Sequence, residues 1–122
     1  FLELPETILL KGDQDRLAQV FNNLLDNAIK FTPAGKPVTL AAHTTADWVI
    51  VRVEDTGPGI PCEERERIFE RFYRLDKSRK SGNHGAGLGL AIAKEIVLAH
   101  GGKIQVESGS TQGSIFLVKL PQ

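Results

Sequence analysis

Methionine is absent from the 122 residues, and cysteine, tryptophan and tyrosine occur once each. No apolar run approaches the roughly 20 residues needed to cross a bilayer, and the start carries no basic-then-apolar leader. A lone Cys62 excludes an internal disulfide and a cysteine-based zinc site, which fits a reducing compartment such as the cytosol. Net charge is lacking too. Fifteen Lys and Arg balance fifteen Asp and Glu, so the overall field offers nothing to nucleic acid or to an acidic membrane surface. What remains, 41% hydrophobic and 25% charged residues, is ordinary for one globular domain, expected over residues 1–122. A chain without methionine that opens at Phe1 reads as a segment of a longer protein. The one local imbalance runs from Arg71 to Lys80, where Arg71, Arg74, Lys77, Arg79 and Lys80 stand against Asp76 alone. Such a run suits either a docked polyanion or a solvated loop.

Read in order, Thr7 to Leu10 predicts a short strand ending at Gly12-Asp13. Asp13 or Asp15 can cap a helix that runs to about Phe31 and is stopped by Thr32-Pro33. Leu17, Val20, Phe21, Leu24, Leu25 and Ala28 gather on one side of that helix, which must face a sheet or another helix. Val38 to His43 and Trp48 to Val53 predict a hairpin, and the nearly unbroken apolar run of its second strand places that strand inside a sheet. Pro61 starts a second predicted helix, with Ile68, Phe69 and Phe72 as its apolar positions. Tyr73 to His84 has no periodicity and reads as a mobile loop. A third helix follows from about Leu88 to His100, ended by Gly101-Gly102, and Lys103–Glu107 with Ser114–Leu120 closes the chain as a hairpin. The expected fold is α+β: a two-layer sandwich, with a mixed, mostly antiparallel sheet and three helices on one face.

Three segments carry chemistry. On the first helix Asn23, Asn27 and Lys30 fall within roughly 60° of one another, forming one polar rim. An amide oxygen suits a hard cation such as Mg²⁺, and a lysine suits a phosphate, although the same spacing also suits a plain polar helix face. Next, Asp55 follows a buried strand and precedes Thr56-Gly57-Pro58-Gly59-Ile60. A carboxylate there can accept a hydrogen bond from an exocyclic amine such as adenine N6, while Gly57 and Gly59 admit a planar ring close to the backbone. The competing reading is a turn that merely leaves the sheet. Lastly, Gly85, Gly87 and Gly89 alternate just ahead of a helix and can turn amide N–H groups toward an anion. The spacing is not that of a dinucleotide-binding fingerprint, no buried strand precedes it, and no Walker A loop is present.

With these residues in view, the chain from Gly12 to Pro121 resembles the catalytic ATP-binding domain of bacterial sensor histidine kinases, within the Bergerat-fold ATPases. Gln19–Phe31 resembles that family's N box, Asp55–Ile60 its G1 box and Ile68–Arg74 its F box. Gly85–Leu90, which includes Leu88, resembles its G2 box, and Gly113-Ser114 with the following strand its last glycine motif. The resemblance implies roles residue by residue. Asn27 would hold Mg²⁺, Asn23 and Lys30 would meet phosphates, and Asp55 would bind the adenine amino group. Gly57, Gly59, Ile60 and Leu90 would wall the base, Gly85, Gly87 and Gly89 would offer amides, and Arg74 would reach the γ-phosphate. Ser114 would belong to the same nucleotide site, and Leu75–His84 would be the ATP lid. Phe31 stands where the family often has tyrosine; it can stack but cannot donate a hydroxyl hydrogen bond.

The implied activity is transfer of the γ-phosphoryl group of Mg·ATP to a histidine on another domain, with Asn23, Lys30 and Arg74 serving the transfer. None of His43, His84 or His100 resembles the family's phosphoacceptor segment, so the dimerisation and phosphoacceptor domain is expected upstream of Phe1. The domain alone is expected to be a monomer that binds ATP and does not phosphorylate itself. The full protein is expected to be a homodimer, anchored in the bacterial inner membrane with this domain in the cytoplasm, passing its phosphoryl group to a response regulator. Three rivals share many of these motifs. Hydrolytic relatives carry a glutamate one turn before the metal-binding asparagine, where this chain has Asn23, which cannot take a proton. Serine kinases of the anti-sigma type and ATP-sensing modules without transfer activity are the other two.

Overall fold

The computed structural model describes residues 2–3, 12–73, 88–109 and 112–122. Five strands and two α-helices are present among them: β1 (Leu2–Glu3), α1 (Gln14–Phe31), β2 (Thr39–Thr44), β3 (Trp48–Glu54), α2 (Gly89–Ala99), β4 (Lys103–Ser108) and β5 (Ser114–Pro121). The sheet order is β1-β2-β3-β5-β4, with β1 parallel to β2 and every other pairing antiparallel. This is the mixed, mostly antiparallel sheet expected. The predicted strand Thr7–Leu10 lies outside the described residues.

Helix α1 begins where its sequence says it should. The Asp13 carboxylate accepts from the backbone N–H groups of Asp15 and Arg16, satisfying two donors that the first turn leaves open. At the other end Thr32 is extended, as a residue before proline must be, and its N–H closes the last turn on Ala28 O. Leu17, Val20, Leu24 and Ala28 are buried, with Phe21 and Leu25 packed beside them. They meet Val49, Val51 and Val53 of β3 and Phe116, Val118 and Leu120 of β5 in one core. β3 sits centrally between β2 and β5, as its apolar run requires. Gly101, at φ +75°, ends α2 in the left-handed conformation that a C-terminal cap needs.

Between β3 and α2, the segment expected as an α-helix forms two short 3-10 turns, Cys62–Glu64 and Arg67–Phe69. Ile68 and Phe69 bury adjacent side chains, and Phe69 meets Phe116 edge-on with ring centroids 6.2 Å apart. Residues Cys62 to Arg67 supply no apolar partner three or four positions earlier, so the segment lacks the stripe that would hold so short a helix against the core. It still packs on the same sheet face as α1 and α2, completing the three-helix layer. Among the described residues, no helix is long and apolar enough to cross a membrane.

Candidate functional site

The carboxylate of Asp55 is 3% exposed, just past the end of β3. Its Oδ1 accepts from the backbone N–H of Gly57 at 3.0 Å and of Ser114 at 3.1 Å, and its Oδ2 accepts from the Ser114 hydroxyl at 2.6 Å. The Asp55 N–H in turn donates to Ser114 O at 2.9 Å. A carboxylate offers about four acceptor positions, and three are filled by described residues, which leaves a place for one further donor. Close backbone packing builds the turn around it. A Cβ on Gly57 would lie 2.4 Å from Phe31 O, and one on Gly113, at φ +87°, would lie 2.2 Å from Asp55 O. These contacts admit glycine alone.

The polar rim of α1 runs toward this turn. Asn23 is half-buried and its Nδ2 donates to Gly89 O at 3.1 Å, joining the rim to the first residue of α2. Asn27 is also half-buried, and no described residue hydrogen-bonds its amide; Lys30 is exposed in the last turn, and Phe31 is 37% exposed. Leu88 supplies the first carbonyl of α2, accepting from Ile92 N–H, while Ile60 and Leu90 pack against the core from the turn and from α2. At the opposite end of the two helices, His100 Nε2 accepts from Asp13 N–H at 3.0 Å and Nδ1 donates to Ile96 O at 2.8 Å. Both ends of α2 are therefore tied to α1, one to its middle and the other to its N-terminal cap.

Of the expected site residues, Asp55, Gly57 and Ser114 converge directly, and Asn23 meets Gly89. Arg74, Gly85, Gly87 and the loop Leu75–His84 lie outside the described residues. Several side chains support the site through bonds that the sequence did not indicate. Thr32 Oγ1 accepts from Thr56 N–H at 3.2 Å, and Thr56 Oγ1 donates to Pro37 O at 3.0 Å. Arg65 donates from Nε to Ile60 O at 3.3 Å and from Nη2 to Ser108 Oγ at 2.6 Å, fastening the turn to β4. The turns' polar bonds also shift their own groups. The Tyr73 hydroxyl donates to Glu64, and this bond first, then burial, pushes the phenol above its ordinary range against a smaller opposing effect of Arg67. Arg71 bonds Glu95 of α2, which raises the guanidinium further. No local sequence signal distinguishes these residues, since most of their partners are distant in the chain.

An open cleft of about 450 Å³ lies against Pro58–Pro61, Ser108, Gly109, Gln112 and Gly113. It shares Gly59, Ile60 and Gly113 with the Asp55 turn, and Asn23, Asn27, Lys30 and Leu90 do not line it. Among the described residues no three His, Cys, Asp or Glu side chains cluster tightly enough to hold a metal ion. Mg²⁺ takes one or two protein ligands and completes its shell with water and substrate phosphates, so it needs no such cluster.

The family described as histidine kinase-, DNA gyrase B-, and HSP90-like ATPase matches residues 12–122. The sensor protein VanS of Enterococcus faecium is 44% identical over 120 residues, covering 98% of this chain and 31% of VanS. The chain thus spans less than a third of that curated relative. Among solved structures, the nucleotide-free catalytic domain of histidine kinase ThkA is similar with a TM-score of 0.85 at 33% identity, covering 98% of this chain and 77% of that one. Full-length ShkA in complex with AMPPNP is similar with a TM-score of 0.82 at 36% identity, covering 98% of this chain and 25% of that one.

Proposed function

This chain belongs to the histidine kinase-, DNA gyrase B-, and HSP90-like ATPase family, and on that footing we propose that it binds Mg·ATP and donates the γ-phosphoryl group to a histidine of a separate dimerisation domain. The observation that carries the reading is the buried Asp55 carboxylate, held by three donors and left with one acceptor position. An adenine amino group is the donor that fits it. Gly57, Gly59, Ile60 and Leu90 border the base, and Asn23, Lys30 and Gly89 lie toward the phosphates. Ser114 orients Asp55, and Phe31 borders the nucleotide from the end of α1. Leu88, Gly85 and Gly87 belong to the same phosphate loop, with Arg74 assigned to the γ-phosphate.

Asn27 is the proposed magnesium ligand. Its half-buried amide has no hydrogen-bond partner among the described residues, and a neutral oxygen leaves charge balance to the triphosphate. Bound there, Mg²⁺ would supply neutralisation of phosphate charge. Asn23 occupies the position where a hydrolytic enzyme needs a base, and its amide is engaged by Gly89 O. It orients and cannot take a proton. The chain's own contribution is thus alignment and charge stabilisation, which phosphoryl transfer needs most. In transfer, the imidazole nitrogen of the acceptor forms the N–P bond as the β,γ P–O bond breaks and ADP leaves.

The surrounding protein is proposed to be a longer, homodimeric sensor kinase, anchored in the bacterial inner membrane with this domain in the cytoplasm. Its acceptor domain would precede residue 1 and its phosphoryl group would pass to a response regulator. The match to VanS, named a sensor protein and covered over only 31% of its length, supports the longer sensor protein in that reading.

The test is thermal stabilisation. Mg·ATP is expected to raise the midpoint of the chain, because a ligand that binds the folded state alone stabilises it by RT ln(1 + [L]/Kd). Asn27→Ala should abolish the magnesium-dependent part of that rise and keep the part seen with ATP in EDTA. Equal magnesium effects in both proteins would remove Asn27 from the metal. For the transfer itself, the full-length protein should acquire acid-labile, base-stable label from [γ-³²P]ATP, and the 122-residue chain alone should acquire none.

A further inference from the structure

The end of α1 and the Asp55 turn are fastened on two sides. On one, the Phe31 carbonyl lies against Gly57 so closely that a Cβ there would sit 2.4 Å from the oxygen. On the other, Thr32 Oγ1 accepts from Thr56 N–H at 3.2 Å, and the Thr56 hydroxyl reaches on to Pro37 O at 3.0 Å. Thr32 is half-buried and extended at φ −86°, ψ 127°, a conformation that Pro33 enforces. Its hydroxyl is therefore presented by a backbone with little freedom. Asn27 and Lys30 lie five and two residues earlier on the same helix, and Asp55 lies one residue before Thr56.

We propose that Thr32 is a positioning residue that sets the distance and angle between the base-reading carboxylate of Asp55 and the phosphate-facing rim of α1. The inference rests on the nucleotide reading above. A rigid helix of 1.5 Å rise per residue puts Asn27 roughly 7–8 Å along the axis from Thr32, so a swing of the turn against the helix end would misalign one half of the nucleotide when the other is seated. The Thr32–Thr56 bond resists that swing. It is made by side chain to backbone across 24 residues, and no regular secondary structure provides it. Its benefit should appear only for ligands that engage both ends at once.

Thr32→Val keeps the branched shape and the extended preference while deleting the acceptor, and Thr32→Ser restores it. A bond of ordinary strength corresponds to about a fivefold change in the fraction of molecules with aligned halves, and apparent affinity falls by that fraction. In calorimetric titration of the 122-residue chain, Thr32→Val should therefore weaken Mg·ATP about fivefold, and Thr32→Ser less than twofold. Adenosine, which engages the turn alone, should change less than twofold in either variant when followed by NMR chemical shifts. A second variant, Thr56→Val, keeps the N–H donor but loses the link to Pro37 and should show a smaller loss in the same direction. Unchanged Mg·ATP affinity in Thr32→Val overturns the proposal, as does equal loss of adenosine and Mg·ATP, or failure of serine to restore binding. If the folded wild-type chain binds neither ligand, the nucleotide reading itself has failed.

Discussion

Asp55→Asn is expected to weaken Mg·ATP binding by about 10- to 100-fold while leaving the chain folded. The carboxylate's Oδ1 accepts two backbone N–H groups, from Gly57 and Ser114, so the retained carbonyl oxygen of the amide must take that position. The new NH2 then falls where Oδ2 was. There the Ser114 hydroxyl, now 2.6 Å from an acceptor, can rotate and accept instead, which keeps the packing intact at a cost of about 1 kcal/mol. The one open acceptor position becomes a donor, and it opposes an adenine amino group that also donates. Loss of a hydrogen bond to a charged group costs about 1.5–3 kcal/mol, which gives the stated range in affinity. Guanine presents a carbonyl oxygen at the corresponding position, so the ratio of ATP to GTP affinity should fall together with ATP affinity. Calorimetric titration with both nucleotides measures it. Retained affinity in a folded variant would place the base away from Asp55.

How much of this arrangement could be read in advance depended on whether its cause was local. The stripe Leu17, Val20, Leu24, Ala28 and the cap at Asp13 belong to one continuous segment, and both appear as expected. So does the interior position of β3, because a strand apolar on both faces has to be flanked. Asp55 was legible for the same reason: it is an acid that follows an apolar strand and precedes glycines. The middle helical segment was not. Pro61 and the acids after it are good helix-start residues, but only Ile68 and Phe69 are drawn into the core, and two adjacent buried positions favour tight turns over an amphipathic helix. Thr32 before Pro33 read only as a stop signal, whereas its hydroxyl serves a partner at Thr56. Arg65 carries no sequence signal either, because its bond to Ser108 depends on how β4 is placed. Long-range polar ties of this kind have no periodicity to betray them.

Gly113→Ala should be among the most damaging single-methyl changes in the chain, costing about 3–5 kcal/mol of a stability expected near 5–15. Two effects add. At φ +87° an alanine occupies the left-handed region, at about 1–2 kcal/mol. Its Cβ would also lie 2.2 Å from Asp55 O and 2.8 Å from Asp55 Oδ1, and neither atom is the loose end of a flexible side chain. Relief demands that β5 move from the Asp55 turn, stretching the bond from Asp55 N–H to Ser114 O and the carboxylate's bonds to Ser114. Gly35 provides the comparison. It has nearly the same φ, +84°, but nothing lies within 4 Å of its Cβ position, so Gly35→Ala should cost only the conformational part. Urea denaturation of both variants separates strain from overlap, and similar losses would mean that the close approach at Gly113 relaxes freely. Because the overlap falls on the carboxylate itself, any Gly113→Ala protein that folds should also lose nucleotide affinity, whereas Gly35→Ala should not. The two substitutions thereby link the packing of the sheet to the nucleotide binding proposed for Asp55.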